Sequence, residues 1–139
     1  MSSPELALQA AVRARLAGSS EITALVPVAS ILDRNERPNP RPSIVIGEGQ
    51  AVDEGDSIDR LLVRVYLDLH VWVREPSTEI SKAIAGAIRR ALRPRLVLAS
   101  PYHCADSYVR TARFFRDPDG ESSHAVVTVD ARVREGAQP

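Results

Sequence analysis

Asp68 and His70 stand two residues apart on what reads as one strand face, a spacing that could orient an imidazole for proton transfer. Acid–base work of that kind needs a nucleophile and a site for developing negative charge, and the neighbouring sequence offers neither. The pair therefore reads as surface or interface chemistry. His103 and Cys104, with His70 and His124, have donor types that zinc prefers but none of the paired spacing of zinc sites. The run Asp53-Glu54-Gly55-Asp56-Ser57-Ile58-Asp59 looks superficially like a calcium loop, yet it lacks the alternating ligands closed by a distal glutamate. Arg89, Arg90, Arg93 and Arg95 form the densest basic cluster. Nucleic-acid contact is one reading of it, although a helix C-terminus attracts cations for its own reasons. No glycine-rich phosphate loop or nucleophile elbow occurs. The sequence assigns no catalytic residue, no metal ligand and no cofactor site, and the expectation is a protein that is not an enzyme. A small hydrolase or nuclease remains the remote alternative.

The element that positions Asp68 and His70 is the most regular in the chain. Leu61, Val63, Val65, Leu67, Leu69, Val71 and Val73 occupy every odd position from 61 to 73. Side chains alternate on a strand, so this pattern makes one apolar face and excludes a helix. Burying that face contributes roughly 10–20 kcal/mol as an upper estimate. Thirteen residues at ~3.3 Å each would span about 43 Å, against a diameter of roughly 37 Å for a compact domain of this length. The strand is thus expected to curl or to project. Its other face carries Arg64, Tyr66, Asp68, His70, Trp72 and Arg74. Tyr, Trp and Arg are the types enriched in protein interfaces, so this face reads either as a subunit interface or as an ordinary exposed face with its one Trp under a loop.

Around the long strand the pattern predicts two main helices. Ser3-Pro4-Glu5 caps and opens the first, which buries Leu8, Val12 and Leu16 and stops at Gly18. Ser20 could cap a short turn through Ile22 and Leu25, and Val28–Leu32 could be a short strand. The second main helix follows Pro76-Ser77-Thr78-Glu79, with Ser77 as a candidate cap, and shows a stripe of Ile80, Ala83, Ile84, Ala87, Ile88 and Ala91 before Pro94. It should lie on the aliphatic face of residues 61–73. Asp33–Pro42, with three prolines, reads as an extended surface loop. Ser43–Gly47 reads as a short buried strand, and Glu48–Asp59 as an acidic mobile connection leading back into the long strand. Leu96–Leu98 is either a short strand or an extended connection. Tyr108–Arg116 alternates more weakly, then Asp117-Pro118-Asp119-Gly120 signals a turn into Ala125–Val133. The expectation is a single α+β domain over residues 1–139. Its mixed or antiparallel sheet has about four strands in two hairpins, with both helices on one face and a polar tail at 135–139.

Composition excludes other classes. Of 139 residues, 18 are basic and 18 acidic, so no net field draws the chain to nucleic acid or an anionic membrane. One cysteine rules out a disulfide framework and suits a reducing compartment. Glu5, Arg13 and Arg15 interrupt Met1–Gly18, which does not read as a signal peptide, and no apolar run approaches a membrane span. A soluble intracellular product is expected.

In order and spacing these segments resemble the tail-completion, or tail terminator, proteins of long-tailed bacteriophages and gene transfer agents. The carriers are the N-terminal helix with Ile22-Thr23-Ala24-Leu25-Val26, Pro42–Glu48, Leu67-Asp68-Leu69-His70-Val71-Trp72 with Arg74, the Ile/Ala-striped helix, and Phe115–Gly120 leading to His124. The resemblance implies a virion protein without catalysis or cofactor. It would form a ring, usually a hexamer, on the head-proximal end of a finished tail tube, having been made in the host cytoplasm. Implied partners are further copies of itself, the tail tube protein and a head–tail connector or stopper protein, with DNA only passing through the lumen. On that basis Arg64, Tyr66, Asp68, His70, Trp72 and Arg74 are candidates for the subunit interface. Glu48, Asp53, Glu54, Asp56 and Asp59 are candidates for lining the lumen or touching the tube. Another head–tail junction protein, a stopper or connector ring, is the nearest alternative.

Overall fold

Strand alternation in residues 61–73 builds the centre of the sheet. A computed structural model describes residues 2–33, 41–55 and 58–136. The elements run α1 (Pro4–Ala17), α2 (Ser20–Thr23), a 3-10 turn (Val28–Ser30), β1 (Ile31–Leu32), β2 (Ser43–Asp53), β3 (Leu62–Arg74), α3 (Glu79–Ala91), β4 (Tyr102–Arg116) and β5 (Ser122–Glu135). The fold is α+β as expected, and among the described residues the mixed sheet has five strands, close to the expected four, in the order β1-β2-β3-β5-β4. β1 is parallel to β2 and every other pairing is antiparallel. The expected proline loop falls largely on residues 34–40, outside the described residues, as do residues 137–139 of the polar tail.

β3 is the expected long strand, 13 residues from Leu62 to Arg74. It does not project alone. β5 pairs with it without interruption from Leu62↔Arg134 to Arg74↔Ser122, and β4, at 15 residues, is longer still. β4 was legible only from Tyr108 because two bulges, at Ala105 and Arg110, break its alternation. β2 likewise continues through Asp53, so the first half of the expected acidic loop is a strand. Its exposed, polar and small residues give no apolar period; the partner strand supplies the order.

Helices cover one face. Val65, Leu67, Leu69, Val71 and Val73 pack with Leu8, Val12 and Leu16 of α1, Ile84 and Ile88 of α3, and Val127, Val129 and Val133 of β5. Ser3 caps α1 by accepting from the Leu6 N–H at 3.1 Å. Ser19, not Ser20, caps α2, accepting from Ile22.

The first turn of α3 corrects the sequence reading. Ile80 and Ala83 are exposed, while Ser81, Ile84, Ala85 and Ile88 face the core. The cause is Glu75, next in the odd series after Val73. Its carboxylate is buried under the helix and accepts from the Ile80 and Ser81 N–H groups at 2.8 and 3.0 Å, and from the Ser123 hydroxyl at 2.5 Å. Ser77 contributes by accepting from the Glu79 N–H. Burial pushes the Glu75 carboxyl up, but the bonds from Ser123, Ile80, Ser81 and Ser77 outweigh it and hold the carboxyl below its ordinary value. At the other helix end Arg15 of α1 donates to the Ala91 and Pro94 carbonyls, both at 2.9 Å. Leu96–Leu98 is an extended connection.

Candidate functional site

The face of the sheet away from the helices has no element lying over it among the described residues. It is nevertheless not a loose solvent face. Arg64, Tyr66, Asp68, His70 and Trp72 are all half-buried by their own neighbours, and Arg74, at the end of β3, is exposed. Two polar clusters account for this.

The first centres on Asp130 of β5, opposite Tyr66 on β3 and Tyr108 on β4. Asp130 is fully buried although it lies on the open side. Its Oδ1 accepts from Arg64 Nη1 at 2.8 Å, and its Oδ2 accepts from the Tyr108 hydroxyl and Arg110 Nη1, both at 3.1 Å. Arg110 is the extra residue of the second β4 bulge. A bulge re-aims a side chain, and here it turns the guanidinium onto Asp130 and over the Tyr66 ring, 5.9 Å from its centroid. Arg64 also donates from Nε to Glu54 Oε1 at 3.0 Å, and Arg132 approaches Glu54 Oε2 at 3.3 Å. Glu54 first and Asp130 second raise the Arg64 pKa, so its charge is fixed.

The second cluster begins on the next-but-one rung. Asp68 accepts from the Thr128 hydroxyl at 2.6 Å, which ties up the carboxylate that sequence reasoning set beside His70. His70 instead bonds sideways, Nδ1 to His124 Nε2 at 2.8 Å and Nε2 to Glu48 Oε1 at 2.7 Å. One of two facing imidazole nitrogens must accept, so at most one proton lies between the rings. Burial first, then the charge of His70, lowers the His124 pKa. The backbone N–H of Glu48, then His70, lowers the Glu48 carboxyl. Trp72 stacks on His124 with centroids 3.9 Å apart and planes within 5°, and Phe115 tilts against the same ring. Gly47 makes room for this arrangement: a Cβ there would come within 2.5 Å of His70 Cδ2. The bulge between Ile46 and Gly49 lets Glu48 reach the imidazole.

The remaining candidates separate. His103 and Cys104 pair with Arg134 and Val133 at the far end of the ladder, away from His70 and His124. Cys104 is buried, and its thiol donates to the Asp106 carbonyl. Asp53 accepts from the Gly55 N–H and pairs with Arg60 at 3.0 Å. Asp59 is exposed in the connection, and Asp56 lies outside the described residues. The acidic run is therefore largely matched by Arg60, Arg64, Arg132 and His70 rather than standing as a bare negative patch. Arg90 of the basic cluster pairs with Glu21. Sequence reasoning missed Asp130, Arg110 and Arg132. Their contacts cross long stretches of chain, and no local pattern announces them.

In the two clusters Glu48, Glu54, Asp68, Asp130, His70 and His124 are each bonded to a neighbour. Such a surface can present a cation- and aromatic-rich platform whose side chains are already held by one another, which lowers the entropic cost of covering it.

A sequence profile described as "Tail completion protein gp17" matches residues 10–134. Two solved structures share the fold. One, from "Virion of native gene transfer agent (GTA) particle", has a TM-score of 0.79 at 22% identity, covering 96% of this chain and 99% of that chain. The other, "Structure of bacteriophage SPP1 gp17 protein", has a TM-score of 0.63 at 20% identity, covering 96% and 94%. No curated protein matches by sequence.

Proposed function

The chain belongs to the tail completion protein gp17 family, and we propose that within the structural, tail-completion role of that family it acts as a tail terminator. In this reading several copies form a ring, usually a hexamer, on the head-proximal end of the tail tube. The ring ends addition of tube subunits and presents the surface that joins the head, through a connector or stopper protein. DNA passes through the lumen without being bound. The chain waits in the host cytoplasm until a tube is complete.

The observation that supports this most is the family match from within α1 to the end of β5. The open face adds a physical reason. Arg64, Tyr66, Asp68, His70, Trp72 and Arg74 form a pre-ordered platform, and we assign it to contact between subunits. β2 ends at Asp53 and is followed by Glu54, the fully exposed Ile58 and Asp59, with Glu48 at the β2 bulge; Asp56 of the same acidic run lies outside the described residues. We assign this hairpin to contact with the tube or the lumen. Because Asp53 and Glu54 are already paired with arginines, tube contact suits it better than a field that repels DNA.

The deciding experiment is the tail-length distribution, by negative-stain electron microscopy, of particles from cells lacking this gene. Overlong headless tails are the expected result. Tails of normal length beside separate heads would transfer the protein to a stopper or connector role. Intact particles would overturn the reading.

A further inference from the structure

The sheet has two free edges, and they match each other. At one side, no strand lies outside β4 among the described residues. Beyond its second bulge β4 runs regularly from Thr111 to Arg116. At the other side, β1 covers β2 only at Ile44 and Val45. Past its own bulge β2 is regular from Gly49 to Asp53, with β3 on its inner side and no strand on its outer side among the described residues. Every residue from Glu48 to Asp53 is exposed. Sheet edges are ordinarily guarded by lysine, proline, a bulge or a covering element. Gly49-Gln50-Ala51-Val52 has none of these, and its small side chains permit close approach.

Direction and charge then select the partner. β2, β3, β5 and β4 are successively antiparallel, so the two outer edges run in opposite senses. A second copy set beside the first in the same orientation brings β4 of one against β2 of the next, antiparallel. Slid along the strands so that Thr111–Arg116 clears β1 and lies beside Gly49–Asp53, this pairing brings the exposed Arg110 of β4 towards Glu54 and Arg113 towards Glu48 on the open side. The two-fold alternatives are worse: β4 against β4 gathers Arg110, Arg113 and Arg116 from both copies, and β2 against β2 gathers Glu48, Asp53 and Glu54. Like charges across strands repel.

We infer that copies of this chain join head to tail by strand addition, Thr111–Arg116 of β4 in one copy pairing antiparallel with Gly49–Asp53 of β2 in the next. Main-chain bonds supply affinity, and the arginine–carboxylate match supplies the sense. A head-to-tail contact closes into a ring when its rotation allows. The inference rests on the ring reading, and it places the contact between subunits at the edges of β2 and β4, with Glu48 and Glu54, in place of the open face of the central β3.

Cysteine pairs test it in assembled particles. Gln50, Thr111, Arg113 and Phe115 are all exposed and sit on the open side, so single cysteines there leave the fold intact; Cys104 is buried and stays. Cells supply a Gln50→Cys copy together with a Thr111→Cys, Arg113→Cys or Phe115→Cys copy, and purified particles are oxidised and run on non-reducing gels. The expected result is a mixed dimer from at least one combination and none from a single variant alone. Several copies per tail with no mixed dimer, or with links within one variant only, would overturn strand addition and leave the ring standing. A single copy per tail would overturn both.

Discussion

The two faces of β3 solve the same problem by different means. On the helix side, Val65, Leu67, Leu69, Val71 and Val73 need only be apolar and close-packed, and one carboxylate, Glu75, is admitted where a helix N-terminus can hold it. On the open side, Arg64, Tyr66, Asp68, His70 and Trp72 are no less ordered, but each depends on a particular partner from another strand. Asp130 is the mirror of Glu75: a fully buried carboxylate, held by two arginines and a tyrosine instead of backbone N–H groups and a serine. The lesson is that apolar packing tolerates exchange among similar shapes, whereas a paired polar face fails when one member is lost. A face of the second kind is kept for what it presents, because stability alone is obtained more simply by the first.

The largest test contrasts side chains three residues apart on the same strand. Leu69→Ala should lower unfolding free energy by about 3–4 kcal/mol, as for other buried leucines, while Tyr66→Ala should cost about 1 kcal/mol; equal midpoint shifts in urea would erase the distinction between the faces. Next comes Asp130→Asn, expected to cost about 2–3 kcal/mol because Arg64 loses its buried counter-charge. A loss below that of Tyr66→Ala would mean the open-face network carries no structural weight. Glu75→Gln should cost about 2 kcal/mol by stripping the carboxylate from the first turn of α3.

Glu75 also has a pH signature. Its folded carboxyl lies below the ordinary 4.5, so its contribution is intact above about that pH and declines as pH falls through the folded value. The Gln variant should lack that part of the acid limb. His124 acts in the same sense at higher pH. Its folded pKa is below the ordinary 6.5, the unfolded chain takes the proton first, and stability should fall as pH drops below 6.5. His124→Gln should flatten that segment of the stability curve; an unchanged slope would remove the imidazole pair from the account. Least affected should be Arg74→Ala, within ~0.5 kcal/mol, because its pairing with Glu121 is exposed on both sides.

Much of the covered face could be read directly. Alternation from 61 to 73 located β3, Ser3 and Gly18 bounded α1, and Asp117–Gly120 marked the turn into β5, where Asp119 accepts from the Glu121 and Ser122 N–H groups at 2.7 and 3.0 Å. The open face was half legible. Its β3 members were visible as a row of unusual types, but their partners were not, and Asp68 was set beside His70 when its bond is to Thr128. The strand order was also hidden. β3 is central, paired on both sides, so pairing at a free sheet edge falls to β2 and β4.

Local periodicity, caps and turn residues act over a few residues, and these the sequence by itself determined: one apolar strand face, two main helices to cover it, a tight hairpin, and a family likeness carried by their succession. Bulges and cross-strand pairs are properties of two strands at once. Whether Arg110 swings onto Asp130, Glu48 onto His70, or Glu75 under α3 depends on register between segments far apart in the chain, and only the tertiary structure decided it.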